Sequence, residues 1–319
     1  MIELAIAERE TDPAPTLPDA PYEAFEVRVP GGTLHGGVWG RRGPVLLCAH
    51  GVTGNHRMFE ALADQLGGEC RLVALDLRGR GHSAGVAGPW GIAAHAADAM
   101  AVLDHLRLPR ADLFVGHSMG GFVGVVAAAR HPQRIGKLLL LDGGIPLVNA
   151  RWLARAPFSD WLIGKLVLKI VGPSIKRLDM TFKTRGEYFD LWKAHPALKD
   201  EWSRYFECFV DYELVGSEPS LRSSMRKETL LADSKAQVKE DVVQRALETI
   251  ACPMRFLRAA RGTTNAAPVY DEHKLTRATA KLRAFSLRNV EDVNHFTLLI
   301  SERGAELVAD EVRRMLQKT

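Results

Sequence analysis

Two hydrophobic rhythms divide the chain. In the first, short uninterrupted apolar runs alternate with stretches of helical spacing. Val45 to Ala49, Leu72 to Leu75, the run opening at Leu113, and Lys137 to Leu141 each read as a strand buried on both faces. Ahead of them Tyr22 to Val29 alternates apolar and polar residues, Gly31-Gly32 makes a turn, and Thr33 to Trp39 completes a hairpin. One helical stretch carries Met58, Phe59, Leu62 and Leu66 on a single stripe, and another runs from Gly91 to Arg107. Strands and helices alternating at this spacing predict an α/β fold, a mostly parallel sheet with right-handed crossovers flanked by helices.

The second rhythm occupies residues 146–249. Strand-like runs give way to helical stretches rich in aromatic residues, including Trp152, Phe158, Trp161, Phe182, Tyr188, Trp192, Trp202, Phe206, Phe209 and Tyr212. This predicts a helical insertion whose rings mostly pack into its own small core, a minority facing a pocket. The sheet rhythm resumes at Pro253–Arg258, and Leu282–Leu287 reads as the last strand. A loop over Val290–Phe296 follows, then a helix from about Ser301 to Gln317 with Leu307, Val308, Val312 and Leu316 on its apolar face. The expected organisation is an N-terminal arm over 1–20, a core over 21–145 and 250–319, and the insertion over 146–249.

The sharpest local signal is Leu113-Phe114-Val115-Gly116-His117-Ser118-Met119-Gly120-Gly121, which leads directly into the Ala-rich stretch Phe122–Ala129. Reversal from strand to helix within a few residues forces the serine backbone into a sparsely allowed region. Glycines two residues before and two after leave room for that reversal. The hydroxyl is then held out at the sheet edge with a helix N-terminus behind it. A Gly/Ser turn between buried elements is the plain alternative.

Four features, in order, resemble the α/β-hydrolase superfamily, in particular its cap-containing, esterase-like serine hydrolases. They are His50-Gly51 after a buried strand, Asp76-Leu77-Arg78-Gly79-Arg80-Gly81-His82-Ser83, the Gly-x-Ser-x-Gly at Ser118, and Asn294-His295-Phe296 ahead of the last helix. The resemblance spans nearly the whole chain. It implies that the insertion is a cap, that Ser118 is the nucleophile and that His295 is the base. A serine hydroxyl needs such a base at neutral pH, and an imidazole can return the proton to the leaving group. It implies an oxyanion hole from the backbone N–H groups of Val52 and Met119. His117 is expected behind the elbow, His82 as a cap to its own loop, and Asp292 facing away.

The acid departs from the family's usual pattern. The stretch Arg258–Pro268, where that acid commonly falls, holds no carboxylate; Asn265 lies near the expected place, and Asp271 follows several residues late. Asp142 ends the strand after the elbow helix, where some superfamily members carry their acid. Asp142 is therefore the expected partner of His295, with Asp271 next and Asn265 third. A serine rather than an aspartate at the elbow implies an acyl-enzyme. The substrate is then an ester, a thioester, an activated amide, or a C–C bond next to a ketone.

Composition narrows the remaining classes. Hydrophobic residues make up 46% and charged residues 25%, ordinary for a globular protein. The net charge of +4 is scattered, with no basic block to bind nucleic acid. The four cysteines have no metal-ligand spacing, and Gly79-x-Gly81 lacks the context of a dinucleotide fingerprint. No metal or cofactor is expected. No stretch approaches the roughly 18 apolar residues of a spanning helix, and the first residues lack the pattern of a secretory signal. The expectation is a cytoplasmic serine hydrolase acting on a carboxylic ester of a small to medium, largely apolar substrate, its oligomeric state open. A C–C bond hydrolase of a diketone and a non-catalytic ligand receptor are the alternatives.

Overall fold

A computed structural model of the chain describes residues 21–146, 159–239 and 241–317. At its centre lie β1 (Tyr22–Val29), β2 (Gly32–Trp39), β3 (Val45–Ala49), β4 (Arg71–Leu75), β5 (Leu113–His117), β6 (Leu138–Leu141), β9 (Met254–Arg261) and β10 (Phe285–Asn294). They form one eight-stranded sheet in the order β1-β2-β4-β3-β5-β6-β9-β10. The first hairpin and the β2–β4 pair are antiparallel, and every pairing from β4 to β10 is parallel. The expected α/β-hydrolase architecture, a mostly parallel sheet flanked by helices, is present.

Strand alternation splits the core in two. Leu46, Cys48, Leu72, Ala74, Leu113, Val115, Leu139 and Leu141 face α1 (Glu60–Leu66) and the C-terminal helix Glu302–Gln317. Their neighbours Leu47, Ala49, Val73, Leu75, Phe114, Leu138 and Leu140 face α2 (Ile92–His105) and α3 (Met119–Arg130). Continuous apolar runs are thus the consequence of helices on both sides.

Between β6 and β9 come α4 (Ser159–Leu178), α5 (Arg185–Lys193), α6 (Arg204–Tyr212), α7 (Lys227–Lys239) and α8 (Val242–Thr249). A small hairpin, β7 (Leu214–Val215) with β8 (Arg222–Ser223), interrupts them. Two-residue strands carry no readable period, so the sequence pattern does not reveal them. The aromatic residues do not build a separate core. Phe182, Tyr188, Trp192, Phe206 and Phe209 belong to one cluster with Phe59, Leu62 and Leu298. Trp192 meets Phe206 and Phe209 edge-on at 5.8 and 5.9 Å. Residues of α8 pack beside α3, with Val242, Val243 and Ala246 in the second cluster. The expectations for the arm over 1–20 and for Trp152 and Phe158 lie outside the described residues.

The last strand differs most from its expectation. It runs from Phe285 to Asn294, with a register shift between Val290 and Asn294, so most of the expected loop at 290–296 is strand. It starts after Leu282, whose N–H closes a turn on Thr279 O at 2.9 Å. An edge strand with one neighbour keeps polar side chains in solvent, so its hydrophobic signal is weak.

Phe206→Ala should lower unfolding free energy by about 3–5 kcal/mol, the range for deleting a fully buried ring. Trp161→Ala, at a ring 62% exposed, should change it by less than about 0.5 kcal/mol. Urea titration of both variants checks this, and equal losses would contradict the packing described.

Candidate active site

Ser118 sits between β5 and α3 with φ 51° and ψ −116°, a strained conformation for a residue with a side chain. Sequence fixes it there by leaving no alternative. A Cβ on Gly116 would lie 2.4 Å from Gly120 O, and one on Gly120 would lie 1.9 Å from Ala49 O. The strand ladder continues through the turn, since Ser118 N–H donates to Leu141 O at 2.9 Å. The next residue on that neighbouring strand end is Asp142, and a Cβ on Gly143 would come within 2.1 Å of Ser118 O.

Asp142 is buried, with φ 48°. Its N–H donates to Leu257 O on β9 at 2.9 Å, and its Oδ2 lies 2.8 Å from His295 Nδ1. A carboxylate only accepts, so Nδ1 carries a proton, and in the neutral ring Nε2 then presents a lone pair. His295 is buried and held by its main chain as well. Its N–H donates to Arg261 O at 2.9 Å, and its carbonyl accepts from His117 Nε2 at 2.7 Å. Asn294 clips the loop closed: its Oδ1 accepts from Phe296 N and Thr297 N, both at 3.0 Å. Its Nδ2 donates to Ala197 O at 2.8 Å, which ties the loop to the helical segment.

The loop after β3 is pressed against the elbow. A Cβ on Gly51 would lie 3.1 Å from both Ser118 Cβ and His117 Nδ1. His50 Nε2 accepts from Leu77 N at 3.0 Å, which leaves its proton on Nδ1 to donate to Gly51 O at 2.7 Å. Gly54 N–H adds a second bond to the same carbonyl at 3.0 Å. In a trans peptide the carbonyl and the following N–H point opposite ways, so this clamp fixes the direction of the Val52 N–H. Met119 is the first residue of α3, immediately after Ser118, where helical N–H groups lack intrahelical partners. Burial pushes His50 down to about 3; burial, with His295 beside it, does the same to His117. Both rings therefore stay neutral.

The Asp76 loop organises the same edge. Asp76 Oδ1 accepts from His56 N at 2.8 Å and His56 Nδ1 at 2.9 Å, and Oδ2 accepts from Tyr212 OH at 2.8 Å. Burial alone would raise this carboxyl, yet the His56 contacts hold it below the usual carboxylate range. Arg78 grips Asp98 through Nε at 2.6 Å and Nη2 at 2.5 Å.

The other expected site residues have different tasks. Asp271 is exposed and caps the helix Glu272–Thr279, accepting from Lys274 N at 2.9 Å. Asn265 accepts from Arg261 Nε at 2.7 Å and from Asn294 Nδ2 at 3.2 Å, so it braces the residue before His295. The partner of the His295 ring is Asp142, and neither Asp271 nor Asn265 takes that place. His82 donates its N–H to Asp76 Oδ2 at 3.1 Å and stacks on Tyr212, the rings 4.1 Å apart. Asp292 is exposed. Sequence reasoning did not find the clamp made by His50 or the clip made by Asn294. Both flank glycine-rich or loop positions, and a side chain bonded to its neighbours' backbone leaves no periodic trace. Among the described residues, no group of three or more His, Cys, Asp or Glu side chains could hold a metal ion, and no helix is long and apolar enough to cross a membrane.

These features belong to a known lineage. Residues 44–210 match the family described as alpha/beta hydrolase fold, and the chain belongs to it. It is 35% identical to a serine hydrolase-like protein of Danio rerio over 125 residues, 37% of this chain and 37% of that protein. It is 38% identical to the lipase LipV of Mycobacterium tuberculosis over 119 residues, 37% of this chain and 44% of the lipase. The chain thus matches less than half the length of these curated relatives. The crystal structure of E-2-(acetamidomethylene)succinate hydrolase superposes with a TM-score of 0.71 at 18% identity, covering 92% of this chain and 99% of that one.

Keeping His50 and His117 neutral has a cost at low pH. Their folded-state values near 3 lie below the ordinary 6.5. The stability tied to them is whole above about 6.5 and is lost as pH falls towards 3, at about 1 kcal/mol per pH unit for each ring. Urea titrations between pH 7.5 and 5 should show the midpoint falling, and His117→Gln should make that fall shallower. A midpoint with the same pH dependence in the variant would contradict the assignment.

Proposed function

We propose that the chain is a serine hydrolase that cleaves the carboxylic ester of a small to medium, largely apolar substrate through an acyl-enzyme. The observation that carries this reading is the 2.8 Å bond between Asp142 and His295, formed beside a strained Ser118. Ser118 Oγ attacks the ester carbonyl while its proton passes to His295 Nε2. The tetrahedral oxyanion is stabilised by the N–H groups of Val52 and Met119. His295 then protonates the departing alkoxide, and the ester C–O bond breaks. A water molecule, deprotonated by the same ring, attacks the acyl-enzyme and releases the acid and Ser118. Asp142 holds the ring in the required tautomer and stabilises the imidazolium as it forms.

In this reading residues 146–249 are a cap on a core of 21–145 and 250–319. Support comes from the sheet order, since β9 resumes beside β6 after the helical segment. An apolar acyl group suits the aromatic content of that segment. Similarity to a lipase supports an ester bond as target. The free thiols of Cys48, Cys70, Cys208 and Cys252 suit a reducing, cytoplasmic setting.

A nitrophenyl-ester chain-length series tests the proposal. Ser118→Ala should abolish turnover, and Asp142→Asn should lower kcat by roughly 1,000- to 10,000-fold. Asp271→Asn should stay within about twofold of wild type, because an asparagine also caps a helix. Loss in Asp271→Asn with retention in Asp142→Asn would overturn the acid assignment. Retention in Ser118→Ala would overturn the mechanism.

A further inference from the structure

One buried charge cluster lies outside the Ser118–His295–Asp142 group and reaches the loop that carries Val52. Asp233, on α7, is fully buried and is received by three groups of the α/β layer. Its Oδ2 accepts from Arg80 Nη1 and, at 2.9 Å, from His95 Nε2, and its Oδ1 accepts from Gly91 N at 2.7 Å. Arg80, likewise fully buried, uses Nη1 again on Arg78 O at 3.0 Å. Its Nε donates to the carbonyl of Val52 at 3.0 Å.

Helix α7 is seated on this loop by more than the charge pair. Arg226 N–H donates to Gly79 O at 3.1 Å, and a Cβ on Gly79 would lie 2.4 Å from Thr229 Cγ2. Val52 is therefore held on both sides. His50 fixes the peptide that carries its N–H, and Arg80 fixes the peptide that carries its C=O. Two fixed peptide planes set both backbone dihedrals of the residue between them.

We propose that Asp233 and Arg80 are positioning residues for the oxyanion loop, so that the seating of α7 on the core sets the direction of the Val52 N–H. The proposal rests on the hydrolase reading above. A buried ion pair is a poor source of net stability, because desolvation cancels most of its attraction, whereas removing one partner strands the other charge. What the pair supplies here is direction. The carboxylate holds the guanidinium so that Nε meets Val52 O, and among the described residues Asp233 is the carboxylate with which Arg80 pairs. Sub-ångström placement matters because an oxyanion donor acts only at hydrogen-bond distance from the developing charge.

The test separates transition-state stabilisation from substrate binding. Asp233→Asn and Arg80→Lys are assayed on a nitrophenyl butyrate substrate and for inhibition by a trifluoromethyl ketone, whose serine adduct carries the same oxyanion. Both variants should lose about 10- to 100-fold in kcat, a fraction of the loss for deleting a donor outright, with KM within about twofold. Affinity for the ketone should fall in step with kcat. If Asp233→Asn fails to fold by circular dichroism, Arg80→Lys decides, since it keeps a positive charge beside Asp233 and lacks the Nε donor. A folded Arg80→Lys with kcat and ketone affinity within threefold of wild type overturns the inference. So does a rise in KM alone, which would mark a role in substrate binding. A wild type without ester turnover overturns the hydrolase reading and this inference together, whereas an active wild type with an indifferent Arg80→Lys overturns this inference alone.

Discussion

The hydrogen bond between Asp142 and His295 joins residues 153 positions apart, and the rest of the site is arranged around it. Neither residue stands on its own. Strand β9 lies between β6 and β10 and gives a carbonyl to each: Leu257 O to the Asp142 N–H, and Arg261 O to the His295 N–H. A third strand thus sets the spacing of the pair. This is why a helical segment can intervene between β6 and β9 without disturbing the site. The sheet, and not the chain order, carries the geometry.

Around that pair, buried polar groups are arranged so that each restrains a neighbour's backbone. His50 holds the Gly51 carbonyl, His117 holds the His295 carbonyl, and Asn294 closes the turn after His295. Burial keeps both of these histidines neutral, and at His117, whose ring centroid lies 4.7 Å from that of His295, this removes a competing positive charge. Interior polar groups are costly unless bonded, and their bonds are correspondingly directional. The strained backbone at Ser118 follows the same rule: the close approaches of Gly116 to Gly120, of Gly120 to Ala49 and of Gly143 to Ser118 over-determine a conformation that the serine alone would not adopt.

Much of this was legible in the sequence, and the boundary of legibility is physical. Continuous runs such as Leu138–Leu141 revealed buried parallel strands because helices cover both faces. The glycine spacing around Ser118 revealed the elbow because steric exclusion there depends on residue type. Asp142 was expected first, from its place at a strand end, ahead of Asp271 and Asn265; its bond to the His295 ring is visible only in three dimensions. Asp271 is a helix cap and Asn265 a loop brace, and both roles look like catalytic candidates in one dimension. The edge strand through Asn294 and the hairpin at Leu214 and Arg222 left little trace, being polar or too short for a period. Nor did the sequence show that the aromatic rings of the helical segment would merge with the sheet's own core. Cross-element packing follows from where surfaces meet and has no local pattern.

The central claim is that Ser118 is an activated nucleophile served by His295. Labelling with a fluorophosphonate, followed by digestion and mass spectrometry, tests it directly. The account predicts one modified site, Ser118, in the wild type and none in His295→Ala. An unlabelled wild type, or a label on any other residue, would contradict it.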